Sequence, residues 1–149
     1  MAPLITIVDD DSLVRRAMLR LVKSVGVEVH GFASAEEFLQ AHSSRDPDCL
    51  ILDIGLPGMS GLELQRRLIE TGRTPPIIFV TARDAAEVRA QALQAGAFAF
   101  LGKPFSDEVL LQAIRTILRP GCAVTHEARR RLAVRVNLVT VCSDHFRVL

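Results

Sequence analysis

Six residues whose types could do chemistry stand at the ends of short apolar runs. Asp9, Asp10 and Asp11 follow Leu4 to Val8, Asp53 follows Cys49 to Leu52, Thr81 follows Ile77 to Val80, and Lys103 follows Phe98 to Leu101 through Gly102. Taken singly, each has an ordinary explanation: an acidic run caps the next helix, a strand-end Thr sits in a turn, and a lone Lys is solvated. Their convergence on one edge gives them weight. Carboxylates about 5 Å apart repel by roughly 3 kcal/mol per pair at an effective dielectric of about 20, so the cluster either holds a proton or recruits a divalent cation. Oxygen-only ligands select Mg²⁺ or a similarly hard ion. A carboxylate beside such an ion, faced by an ammonium and a hydroxyl, matches what phosphoryl transfer onto an aspartate requires. The carboxylate attacks phosphorus while the cations and the hydroxyl take up charge on the equatorial oxygens. No Gly-rich phosphate loop or dinucleotide fingerprint occurs, so the donor need not be a nucleotide held by this chain.

Positioning these groups takes strands that end at a common edge. Apolar runs at Leu4 to Val8, Val27 to Phe32, Cys49 to Leu52, Ile77 to Val80 and Phe98 to Leu101 alternate with helix-period segments. This is the pattern of βα units forming a parallel sheet with helices on both faces, whose ligand edge lies outside the carboxyl ends of the strands. The first helix carries Val14, Ala17, Met18, Leu21, Val22 and Val25 on one face, with Arg15, Arg16, Arg20 and Lys23 on the other. Capping boxes at Ser34 with Glu37, Ser60 with Glu63, and Asp84 with Glu87 open three more, and Gly96 fits a helix stop. The fifth sets Leu110, Ala113, Ile114 and Ile117 on one face before Pro120-Gly121 breaks it; Leu110 and Leu111 are not expected to face one core together.

The 149 residues hold one domain and a tail. At 49% hydrophobic and 23% charged residues, with mean hydropathy +0.27, global disorder is excluded. No long uncharged apolar run occurs, and Met1 to Leu21 carries three aspartates and three arginines, so neither a spanning helix nor a secretory signal is read and a cytoplasmic protein is expected. Residues 1–119 carry 13 Lys+Arg against 15 Asp+Glu, and residues 120–149 carry 5 against 2, so only the tail is basic. Cys49, Cys122 and Cys142 form no C-x-x-C and read as reduced thiols. Without Trp or Tyr, stacking sites for single-stranded nucleic acid or flavin are disfavoured. No histidine stands at a motif end, and His30 reads as a half-exposed strand residue, so a phosphodonor must come from outside.

Together, IVDDDSLVRR, LDIGLPGMSGLEL, PIIFVTAR and AGAFAFLGKPF resemble the receiver domain of bacterial two-component response regulators over residues 4–118, with the nearest likeness to regulators carrying a LuxR-type helix-turn-helix, as in nitrogen-fixation or styrene-catabolism control. The resemblance implies a flavodoxin-like (βα)₅ doubly wound parallel sheet over residues 1–119, and a basic linker or tail at 120–149. It implies Asp53 as the phosphoacceptor, served by a partner histidine kinase in a phosphorelay. Asp9 and Asp10 would hold Mg²⁺ with Asp53 and the Gly55 backbone carbonyl. Thr81 and Lys103 would contact the phosphoryl group, Lys103-Pro104 would be cis, and Phe100 would be the switch aromatic that rotates inward. Gly55 and Arg83 stand where the family lines the path of the hydrolytic water and would tune phosphate lifetime. The chain would then be a signalling switch rather than a metabolic enzyme, self-catalysing only its own phosphorylation and dephosphorylation. A homodimer through the face of the fourth helix, fifth strand and fifth helix is a further expectation.

In the tail, Thr125 would cap a short helix through Arg129 to Arg131, and Val134 to Val141 reads as strand-like. Some 30 residues cannot hold a helix-turn-helix with its own core, so specific DNA binding by this chain alone is not expected; truncation and a true single-domain regulator both stay open. Three rivals remain. A truncated DNA-binding transcriptional regulator has only the arginine tail in its favour. A metal-dependent phosphohydrolase working through an aspartyl phosphate would want a second acid two residues after the nucleophile, where Gly55 stands. A phosphorylation-independent interaction module is weakened by the full acid, Thr and Lys set.

Overall fold

The computed structural model describes residues 2–41, 45–82 and 86–119. Three of the apolar runs become β1 (Leu4–Val8), β3 (Cys49–Leu52) and β4 (Ile77–Thr81), each buried at every residue. Strands in the middle of a sheet covered on both faces need that continuous apolar character. The other two are edges: β2 (Glu28–Phe32), with exposed Glu28, His30 and Gly31, and β5 (Ala99–Gly102). All pairings are parallel in the order β2-β1-β3-β4-β5. With α1 (Ser12–Lys23), α2 (Ala35–Ala41), α3 (Gly61–Glu70), α4 (Ala86–Gln94) and α5 (Asp107–Ile117) between and after them, this is the expected flavodoxin-like (βα)₅ fold. The winding reverses between β1 and β3, which puts the ends of those two strands at the ligand edge.

The sheet carries an apolar layer on each face. Met18, Val22, Leu110, Ala113 and Ile114 from α1 and α5 cover Ile5, Ile7, Ile51, Ile78 and Val80. Phe38, Leu64, Leu68, Ala92 and Leu93 from α2, α3 and α4 cover Leu50, Leu52, Phe79 and Phe100. Cys49 lies fully buried in the first layer, and burial pushes its thiol pKa far up, so it stays an inert thiol.

Helix starts follow the side-chain oxygens. Ser34 accepts from Glu37 N at 3.1 Å while Glu37 reaches back to Ala33 N at 3.0 Å, and Ser60 accepts from Glu63 N at 3.2 Å. Gly96 ends α4 with φ 105°, its amide on the Leu93 carbonyl at 3.0 Å. One expectation is corrected. Ala17 is exposed, because α1 leans toward β2 and sets Leu19 over Gly31, where a Cβ would come within 3.0 Å of Leu19 Cδ1. Leu110 belongs to the layer under α5 while Leu111, also buried, belongs to neither layer, so the two do not share one core, as expected; with Leu111 buried, a spare exposed leucine gives no argument for a dimer. The Asp84 box, Arg83 and every expectation for residues 120–149 lie outside the described residues.

Candidate functional site

The acidic run divides by position. Asp11 caps α1, its carboxylate accepting from Leu13 N at 2.9 Å and Val14 N at 3.2 Å, so the ordinary explanation holds for this residue. Asp9 turns inward with no exposed surface. Its carboxylate accepts from Asp11 N at 2.9 Å and from Lys103 Nζ at 2.8 Å, and its carbonyl accepts from the Arg15 guanidinium at 2.6 Å. Burial pushes the Asp9 carboxyl above its ordinary pKa, against the downward pull of the Lys103 and Asp11 hydrogen bonds. Asp10 stays exposed beside it.

Asp53 ends β3 next to β1, its amide on the Val8 carbonyl at 3.0 Å. One carboxylate oxygen accepts from Gly55 N at 3.1 Å, and the other lies 3.4 Å from Lys103 Nζ. Lys103 thus bridges Asp9 and Asp53. Burial would lower its ammonium pKa, but the hydrogen bond to Asp9 and the charges of Asp53 and Asp9 raise it overall, so the lysine is held charged. The Lys103–Pro104 peptide is cis, as expected. Lys103 is set at the edge by its amide, which donates to the Thr81 carbonyl at 2.8 Å. Thr81 itself, paired with Gly102, is 1% exposed at the end of β4.

Carboxylate oxygens of Asp9, Asp10 and Asp53 lie within 4.8 Å of one another. An all-oxygen set of three anions fits a hard divalent cation, and Gly55, exposed two residues past Asp53, leaves its surroundings open. Of the three carboxylates, Asp9 is sealed and Asp10 has no bond to Lys103 among those described. Asp53 alone is both reachable, with its side chain 10% exposed, and touched by the lysine.

Phe100 is 4% exposed, its ring centroid 6.2 Å from that of its cross-strand partner Phe79. The Arg89 guanidinium of α4 lies 5.2 Å above the Phe100 ring. The expected inward rotation therefore starts, in this structure, from a ring already inward. Sequence reasoning missed three residues. Gly61 is irreplaceable by geometry: a Cβ there would stand 2.3 Å from the Asp53 carbonyl oxygen. Gln65, 2% exposed, donates from its amide to the Ala92 carbonyl at 3.0 Å and ties α3 to α4. Arg15 braces the Asp9 backbone. Gly61 lay within a quoted motif, whereas nothing in the sequence marked Gln65.

Residues 5–115 match the family described as the response regulator receiver domain. The response regulator protein TmoT of Ectopseudomonas mendocina is 46% identical over 115 residues, which is 77% of this chain and 52% of that protein. TodT of Pseudomonas putida is 44% identical over 148 residues, 99% of this chain and 65% of that protein. The chain thus spans between half and two thirds of the length of these curated relatives. Among solved structures, a receiver protein from Burkholderia phymatum is 46% identical with TM-score 0.67, covering 78% of this chain and 94% of that one. The response regulator StyR is 38% identical with TM-score 0.74, covering 92% and 66%.

Proposed function

The chain belongs to the response regulator receiver domain family, and from that membership we propose that Asp53 accepts a phosphoryl group from a partner histidine kinase and so switches a partner surface. The observation that carries this is the single reachable carboxylate facing both a charged Lys103 and two further acids. Asp9, Asp10, Asp53 and the Gly55 carbonyl would hold Mg²⁺, which when bound supplies positive charge to the phosphoryl oxygens. An Asp53 oxygen forms a bond to phosphorus as the donor's P–N bond breaks, and the electron pair leaves with the donor imidazole. Lys103 then moves its charge from two carboxylates toward the phosphoryl oxygens, and the Thr81 hydroxyl serves as a further donor. The chain catalyses only this acceptance and the later loss of its own phosphate. A generic phosphohydrolase is not supported, because the place for its second acid is Gly55, whose amide is engaged by Asp53.

The output surface on this reading is the face of α4, β5 and α5, reached from the site through Thr81, the register beside it and Phe100; a homodimer there has no support beyond the expectation. Arg83 is kept as a residue that tunes phosphate lifetime. We assign residues 1–119 to the receiver and 120–149 to a basic linker, a division supported by the family match ending at 115 and by the basic balance of residues 120–149, five Lys+Arg against two Asp+Glu. A LuxR-type DNA-binding partner domain stays a proposal from resemblance, and the compartment is the cytoplasm. Incubation with acetyl phosphate and Mg²⁺ should add one phosphoryl mass. Asp53→Asn or chelation of the metal should remove it, and labelling that persists in that variant would overturn the assignment.

A further inference from the structure

The loop between β3 and α3 carries the Gly55 carbonyl past Asp53, and it is tied at each end. Near Asp53 the Gly55 amide donates to the Asp53 carboxylate, Ile54 and Leu56 are buried, and Gly61 N donates to the Ile54 carbonyl at 3.1 Å. At the tip, Pro57 and Gly58 are exposed, and the tie comes from another element: Met59 N donates to Glu36 Oε1 of α2 at 2.7 Å. The loop is shaped to receive it. Gly58 has φ +72°, and a Cβ there would lie 2.7 Å from the same Glu36 oxygen.

We propose that Glu36 is a positioning residue which, through the Met59 amide, holds the β3–α3 loop so that the Gly55 carbonyl and the Asp53 carboxylate face one cation together. This rests on the reading of Asp53 and Gly55 as cation ligands. Glu36 touches none of the reacting groups; it acts through four residues of backbone. Its hydrogen bonds to the Met59 amide and to its own amide, with the nearby Arg67 charge, hold its carboxyl below the ordinary range despite some desolvation, so the tie is a charged one.

The test compares the full chain with Glu36→Ala, which removes the acceptor, and Glu36→Gln, which keeps an oxygen and removes the charge. Mg²⁺ is titrated into unphosphorylated protein by NMR, with amide exchange at Met59 read in the metal-free state and melting followed by circular dichroism. Glu36 stands beyond the groups bonded directly to a ligand, whose loss costs roughly 10- to 100-fold, so Mg²⁺ binding should weaken by about tenfold or somewhat less in Glu36→Ala and by less again in Glu36→Gln. Met59 exchange should rise in the same order, while melting stays near wild type, which a merely structural role would not produce. Should Glu36→Ala not fold, the Glu36→Gln shift against wild type decides. Variants that bind Mg²⁺ as wild type does overturn the role of Glu36 alone. A wild-type chain that binds no Mg²⁺ near Asp53 overturns the reading of the site and this inference with it.

Discussion

The two faces of the sheet are built from different kinds of contact. Under α1 and α5 the layer is mostly aliphatic, with Ile5, Ile7, Ile51, Ile78 and Val80 against Met18, Val22, Leu110 and Ile114, Phe98 among them and Arg15 of α1 on the Asp9 carbonyl at its rim. Under α2, α3 and α4 the apolar contacts are joined by directional ones: the Gln65 amide on the Ala92 carbonyl, the Arg89 guanidinium over Phe100, and the Glu36 carboxylate on Met59 N. α5 buries four residues, whereas α4 has two buried, Ala92 and Leu93. Each buried apolar residue forfeits much of its contact energy within about an ångström of displacement, so a helix with few of them has less to lose by moving. Two directional ties, Gln65 on the Ala92 carbonyl and Arg89 over Phe100, then help to set where α4 rests. α5, held by the wider apolar stripe, has more to lose, so on the proposed reading the α4 side is where a change at Asp53 would become a change of shape.

The largest expected effect is at the point where the directional face meets the site. In Gly61→Ala the new Cβ would stand 2.3 Å from the Asp53 carbonyl and 2.9 Å from Ile54 Cα, both backbone, so nothing nearby can step aside. A loss of about 3 kcal/mol or more is expected in urea unfolding, together with loss of Asp53 labelling. A variant with wild-type stability would show that β3 and α3 separate more easily than this packing allows.

Next comes the aliphatic face. Ile114→Ala should cost about 2 to 4 kcal/mol by leaving a cavity between α5 and the sheet. Labelling of Asp53 per folded molecule should be unchanged, measured by intact mass at a temperature where the variant is folded. If labelling fell with stability, the two faces would not be separable and the contrast between them would break.

How far the sequence disclosed this contrast follows from the range of each contact. β1, β3 and β4 are legible because short runs such as LITIV and CLIL are buried on both faces; Asp53 and Thr81 stand at the ends of β3 and β4, and Lys103 follows β5. Local caps at Ser34 and Ser60 were legible at three-residue spacing. The ties of the directional face span 27 residues from Gln65 to Ala92 and 23 from Glu36 to Met59, and no local spacing encodes them. The acidic run showed too little by itself to separate Asp11, a cap, from Asp9, a buried partner of Lys103, because that division depends on which way each side chain leaves the strand end.

A smaller effect is expected at Gln65. In Gln65→Leu the Ala92 carbonyl keeps the Ala97 amide at 3.1 Å, so the loss should be near 1 kcal/mol rather than that of an orphaned acceptor. Backbone NMR shifts should change through α4 and leave α1 alone. Changes spread equally over both faces would mean that the hydrogen bond does not localise the coupling.

The smallest effect concerns Arg89, and it sharpens the comparison most finely. Its guanidinium stands 5.2 Å from the Phe100 ring centre, an arrangement worth about 0.5 to 1 kcal/mol at a partly exposed position. Arg89→Met keeps an aliphatic stem of similar reach over the ring and removes the charge, so stability should fall by no more than about 1 kcal/mol and Asp53 labelling should be unaffected. What should change is the ring. Phe100 is 4% exposed and leans on Phe79, so apolar packing still favours the inward position, but without the cation above it the ring loses the contact that depends on where α4 sits. Its NMR resonances should move in the unphosphorylated variant, and the further movement on phosphorylation should be smaller than in wild type, because part of the link between α4 and the ring is already gone. Arg89→Lys, which restores a charge near the ring, should recover part of that response. Identical Phe100 behaviour in wild type and Arg89→Met would mean that packing alone holds the ring, and that the directional contacts of this face end at Gln65 and Glu36.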